Sequence, residues 1–129
     1  MSEPITRIGC VANVYTRQMH FTNTGDTEPG HAHPFDHMTL LAHGSLRVTV
    51  NDISTDYEAP EMIWISKGLQ HSLTALEPNT VAYCIHALRK GEGIDDIIDP
   101  DSIPEGAMVY NTLADPVALD EPRVKDLTQ

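Results

Sequence analysis

Cysteine is nearly absent: Cys10 and Cys84 are the only two in 129 residues, far apart and without paired spacing. That excludes a disulfide framework and a thiolate zinc site, and a reduced, cytoplasmic setting is the simplest fit. Long apolar runs are missing as well. No segment approaches the roughly 20 residues needed to cross a bilayer, and the opening Met-Ser-Glu-Pro-Ile-Thr-Arg has no cationic stretch followed by an apolar run. The expectation is a soluble, unexported chain. Basic side chains are scarce too, with 8 Lys and Arg against 19 Asp and Glu, a net charge of −11. Residues 1–90 hold nine acidic and six basic groups, whereas 91–129 hold ten acidic groups and only Arg123 and Lys125. Such a surface repels phosphate backbones and anionic lipids, which argues against nucleic-acid and membrane partners. An anionic small molecule is not excluded, because the local charge of a bound metal outweighs distant carboxylates.

Helical periodicity and internal repeats are also lacking. One domain of 129 residues is long enough to bury a core without disulfides. In its first ninety residues it reads as short apolar or β-branched runs: Val11 to Tyr15, Met19 to Thr22, Met38 to Ala42, Leu46 to Val50, Met62 to Ser66, Ser72 to Leu76 and Val81 to Leu88. Turn signals separate them at Thr24-Gly25-Asp26, Pro29-Gly30, His43-Gly44-Ser45, Asn51-Asp52, Lys67-Gly68 and Pro78-Asn79. Many short strands with regular turns predict an all-β sandwich or closed barrel over about residues 10–90. From Gly91 onward a Pro-punctuated acidic extension is expected to pack, over about 94–113, on the barrel or on a partner subunit. The last ten or so residues are expected to be loosely held.

What the sequence does have is histidine. His31, His33 and His37 lie within seven positions as H-x-H-x-x-x-H, and His71 stands alone in S-K-G-L-Q-H. His31 and His33, two apart on a strand, share a face. Pro34-Phe35-Asp36 then allows a tight turn, so that His37 begins the next strand aimed at the same point. His71, after the Gly68 turn, closes the set from another wall. Imidazoles at that density predict one divalent metal ion inside a barrel.

These residues also carry a family resemblance. Gly25-x5-His31-x-His33-x3-His37-x6-Gly44 resembles the first motif of the cupin superfamily, with His37 where most members have Glu. Fifteen residues later, Pro60-x5-Ser66-x-Gly68-x2-His71-x3-Ala75 is similar to the second motif, keeping Gly68 and His71 but departing at Pro60, Ser66 and Ala75. The resemblance implies an antiparallel cupin barrel, a double-stranded β-helix or jelly roll. It also implies a metal held by His31, His33, His37 and His71, with manganese or iron favoured and nickel or zinc as alternatives. It is closest to the small four-histidine cupins, which commonly form homodimers, and the open barrel edge of a short chain is a liability that pairing would remove. Four neutral ligands leave the full 2+ charge on the ion, favouring an anionic or chelating oxygen ligand, and no ligating carboxylate is present to act as a base.

Two functions are expected on these grounds. One is a metal-dependent oxygenase-type enzyme, with lyase, isomerase or decarboxylase chemistry as lesser variants, acting on a small oxygen-rich chelating molecule. The other is a non-catalytic module that binds a small ligand or a metal, since the fold itself does not decide. Convergent polar groups such as His43, His86 or an arginine near the metal favour catalysis, and a wholly apolar lining weakens it. His43 either supports the ligands or caps the turn before Gly44. Cys84 and His86 are in phase on the last strand and either look into the barrel or sit in the core. Met62 and Trp64 are expected in core or interface packing, Phe35 and Met38 at the pocket mouth or packed, and Asp36 orienting an imidazole or capping its turn. The facing of Arg17 and Arg47 is open.

Overall fold

The computed structural model describes residues 2–11, 14–31, 37–65, 68–88 and 108–111, and the side chains of 10, 11, 30, 31, 37 and 108–111 fall outside that description. Alternating burial builds the strands. In Val14–Phe21, Tyr15, Arg17, Met19 and Phe21 are buried in strict alternation, and His71–Ala75 and Thr80–Ala87 repeat the pattern. Ten strands result among the described residues: β1 Ile5–Val11, β2 Val14–Phe21, β3 Thr27–His31, β4 His37–His43, β5 Ser45–Val50, β6 Ile53–Glu58, β7 Glu61–Ile65, β8 His71–Ala75, β9 Thr80–Ala87 and β10 Met108–Asn111. They form two sheets, β10-β1-β2-β9-β4-β7 and β3-β8-β5-β6. Every pairing is antiparallel except β1 with β10, which is parallel. Among the described residues there is no helix, and so none long and apolar enough to cross a membrane.

The fold is the expected all-β double-stranded β-helix, and its departures from the expected strands have local causes. The run Val11 to Tyr15 straddles two strands, because β1 pairs back on β2 down to Val11 with Val14. β3 continues through Pro29 and Gly30, which reads as a turn by composition. β6 buries none of its residues, so no apolar period reveals it. It forms because Asn51 and Asp52, with φ of 48° and 67°, make the left-handed two-residue turn that matches strand twist and return the chain from Val50 to Ile53. Cross-strand polar pairs then hold it: Arg47 donates to both Asp56 carboxylate oxygens at 2.7 and 3.0 Å, and Thr49 and Ser54 hydroxyls meet at 2.8 Å.

The interior has two halves. Towards one end Met19, Phe21, Leu41, Leu46, Leu73 and Ala82 form a fully buried apolar core. Towards the other, the same inward rows of β2, β4, β8 and β9 present Tyr15, Arg17, Thr39, His71, Cys84 and His86, all buried. Polar groups in such number are not placed by the hydrophobic effect, and each needs a partner. At the rim of β3, Asp26 is tied by Ser2 Oγ at 2.7 Å and by the Asn23 amide at 3.0 Å, hydrogen bonds that hold its carboxyl below the usual range.

Candidate metal centre

Two of the four expected ligand positions are brought together by backbone register. β3 and β8 pair as Thr27 with Thr74 and Glu28 with Leu73, after which the register shifts by one residue and His31 stands opposite His71. A bulge of this kind bends a strand and re-aims the side chains beyond it, and bulges concentrate near functional sites. His71 is 3 % exposed, and its Nδ1 lies 3.0 Å from the Leu69 carbonyl oxygen. A carbonyl only accepts, so Nδ1 is the donor in this contact, a bond of the kind that orients a metal-ligating imidazole. His37 opens β4, opposite Ile65. The β4–β9 ladder pairs Met38 with Ile85, so His37 is one step further along, towards the level of His86. His33, Phe35 and Asp36 lie outside the described residues, as do Ser66 and the side chains of His31 and His37. Among the described residues, no three His, Cys, Asp or Glu side chains gather round one point.

Around this end the structure places groups that the sequence pattern leaves open or hides. Arg17, on β2 of one sheet, donates through Nη2 to Glu28 Oε1 on β3 of the other at 2.7 Å, with both side chains about 95 % buried. Burial raises the Glu28 carboxyl against the opposing pull of Arg17. Arg17 also hydrogen-bonds the Tyr15 hydroxyl, yet burial still pushes that phenol up to about 12. The Tyr15 register partner on β9 is His86. Cys84, opposite Arg17 on β9, shares a hydrogen bond with Thr39 at 3.4 Å, and burial raises its thiol to about 11, so it stays protonated at neutral pH. Arg17 is detectable in principle: Tyr15, Arg17, Met19 and Phe21 share one parity, and an arginine in phase with core residues signals an interior cation.

The remaining expectations resolve simply. His43 is exposed and its Nδ1 bonds the Asn79 carbonyl oxygen at 2.8 Å, which makes it a turn residue. Arg47 faces solvent with Asp56. Met62 and Trp64 are not in the core, being 70 % and 67 % exposed on β7, the edge strand of its sheet.

No protein-family model matches the sequence, and no curated protein is similar to it at a significant level. Solved structures do match. The chain is similar to KdgF from a Halomonas species, at 16 % identity over 67 % of this chain and 79 % of that one, with a TM-score of 0.57. It is similar to an RmlC-like cupin with a double-stranded β-helix fold from Methanocaldococcus jannaschii, at 10 % identity over 68 % and 83 %, TM-score 0.60. A double-stranded β-helix protein of Klebsiella pneumoniae aligns at 20 % identity over 70 % and 81 %, TM-score 0.59. The fold is therefore that of a small cupin.

Proposed function

We propose that this chain binds one divalent metal ion, manganese or iron, through His31, His33, His37 and His71, and acts as a metal-dependent oxygenase-type enzyme on a small oxygen-rich molecule that chelates the ion. The observation that carries the reading is the register shift that sets His31 opposite His71, a buried imidazole oriented by the Leu69 carbonyl. Such an ion would supply Lewis acidity and, as manganese or iron, redox chemistry. The chain's own part is to orient and to keep dry: the Leu69 carbonyl fixes His71, the two sheets exclude water, and Arg17, Glu28 and Tyr15 give the interior the polar groups that an apolar storage barrel does not need.

The test is elemental. Untagged protein purified without chelators is expected to carry near-stoichiometric manganese or iron by mass spectrometry. His33→Ala is expected to lose it while keeping a β-rich circular dichroism spectrum. Full occupancy in His33→Ala overturns the ligand set, and zinc alone or no metal in the wild type overturns the oxygenase reading in favour of a binding module. With the ion established, oxygen consumption is screened with small enols, diketones and hydroxy acids.

A homodimer belongs to the same proposal, with β7 as its seam. Among the described residues β7 ends its sheet with no strand paired to its outer side, and Met62 and Trp64 are exposed on it. Trp64 is the only tryptophan, so its emission is expected to shift to the red on dilution, as sedimentation shows dimer giving way to monomer. A monomer at every concentration removes the seam.

A further inference from the structure

Among the described residues, two buried side-chain atoms have no hydrogen-bond partner, Arg17 Nε and Glu28 Oε2, both on the ion pair between the sheets, and the acceptor of the two is the informative one. Glu28 is 4 % exposed, its Oε1 accepts from Arg17, and its Oε2, equally buried, has no hydrogen-bond partner. A buried carboxylate oxygen without a donor is costly, about 1–3 kcal/mol or more for a charged group, and natural structures rarely keep one unless something else supplies the donor. The position of the atom limits what that donor is. Glu28 pairs with Leu73, and His71 is the next residue on the same face of β8, about 7 Å away at strand spacing. Glu28 thus stands about one small molecule's length along the sheet from His71, one of the proposed ligands.

We propose that Glu28 Oε2 is the acceptor for a neutral hydroxyl group of the molecule held at the metal centre, which makes Glu28 a specificity-determining residue and Arg17, with Tyr15, the pair that orients it. This rests on the metal-centre reading above. The charge around the atom selects the ligand group. A cationic group would lie against the Arg17 guanidinium, and an anionic one would meet the carboxylate lone pair. A hydroxyl suffers neither repulsion and gives the missing proton. Arg17 is held by Glu28 and Tyr15, so the carboxylate does not rotate freely, and recognition falls on one oxygen at a defined place. The substrate class narrows accordingly, to small chelating acids or ketones with a further hydroxyl two or three bonds from the chelating head.

The test uses a matched pair. Glycerate and lactate share the α-hydroxy acid head and differ by one distal hydroxyl. Binding of each to the manganese-loaded protein is read by water-proton relaxation as manganese-bound water is displaced. The wild type is expected to prefer glycerate by at least tenfold, the effect of one hydrogen bond to a charged acceptor. Glu28→Gln, which places an amide N–H₂ where Oε2 was, is expected to abolish the preference while lactate binding holds. Equal affinities in the wild type, or an unchanged preference in Glu28→Gln, overturn the proposal, and so does equal loss of both ligands, which marks a purely structural carboxylate. Should Glu28→Gln not fold, the wild-type crystal structure with glycerate decides: a ligand oxygen within about 3.2 Å of Oε2 supports the assignment, and a buried water in its place overturns it. A wild type that binds no manganese defeats the metal-centre reading and this inference together, whereas a manganese protein indifferent to the distal hydroxyl defeats this inference alone.

Discussion

Arg17→Met is expected to destabilise the protein by about 3–5 kcal/mol, the range for breaking a buried ion pair by removing one partner, which for a domain of this size lowers Tm by about 10–20 °C. Methionine keeps the apolar stem and removes the guanidinium, so the main loss is electrostatic. Glu28 stays between the sheets with its strongest donor gone, and the Tyr15 hydroxyl loses the guanidinium as well. The effect has a sign with pH. Burial already raises the Glu28 carboxyl, and Arg17 opposes that rise. Without Arg17 the folded-state value climbs further, so ionisation penalises the folded state as pH rises from the ordinary carboxylate range through the raised value. Below that range Glu28 is protonated in both states and the penalty vanishes. Thermal unfolding by circular dichroism should therefore show a larger deficit against wild type at pH 7.5 than at pH 5.5. Arg17→Met with Glu28→Leu is expected to recover most of it, since an apolar pair removes the stranded charge. A deficit under about 1 kcal/mol in the single variant at pH 7.5 contradicts a buried, coupled pair.

Gly44→Ala is the second large effect, about 2–5 kcal/mol. Gly44 sits between β4 and β5 at φ +86°, in the left-handed region that costs a side chain about 1–2 kcal/mol. A β-carbon there would lie 2.3 Å from Thr80 Oγ1 and 2.9 Å from Thr80 Cα, and overpacking adds about 1–3 kcal/mol. The hydroxyl cannot simply swing aside, because Thr80 is fully buried, its single proton lies between the Glu77 and Ser45 carbonyl oxygens at 2.9 and 3.2 Å, and its Oγ1 accepts from the Ser45 amide. Urea denaturation is expected to show a lower midpoint with an unchanged slope. A variant as stable as wild type contradicts the tight approach of β9 to this turn.

The strands that alternate are legible in the sequence, and the rest are not, for particular reasons. β4, β5, β7, β8 and β9 announce themselves because one face is apolar. β2 reads as two pieces, since Thr16-Arg17-Gln18 is polar on both faces until the interior is known to hold an ion pair. β6 carries no buried residue, and only its turn is visible. Near the candidate site, the place of His71 as the buried first residue of β8 is legible from the Gly68 turn before it. The pairing of Arg17 with Glu28 is hidden, because the two lie eleven residues apart in the chain and meet only where two different sheets face each other. Pairings of that kind are a property of the closed barrel, and local pattern is silent about them. The one-residue shift in β3 is equally hidden, since Pro29-Gly30 reads as an end of structure rather than as a bulge within it.

The parallel pairing of β10 with β1 bears on how the chain comes to be folded. Arg7 meets Met108 and Cys10 meets Asn111, so the first of the ten described strands is finished by the last, made nearly a whole barrel later. Contacts between such distant segments are slow to form. Throughout that interval the outer edge of β1 offers unpaired amides and carbonyls to any neighbouring nascent chain. Ribosome-bound intermediates that stop short of Met108 are thus the species most in need of a chaperone, and their yield of soluble product should depend on how closely chains are crowded on the message.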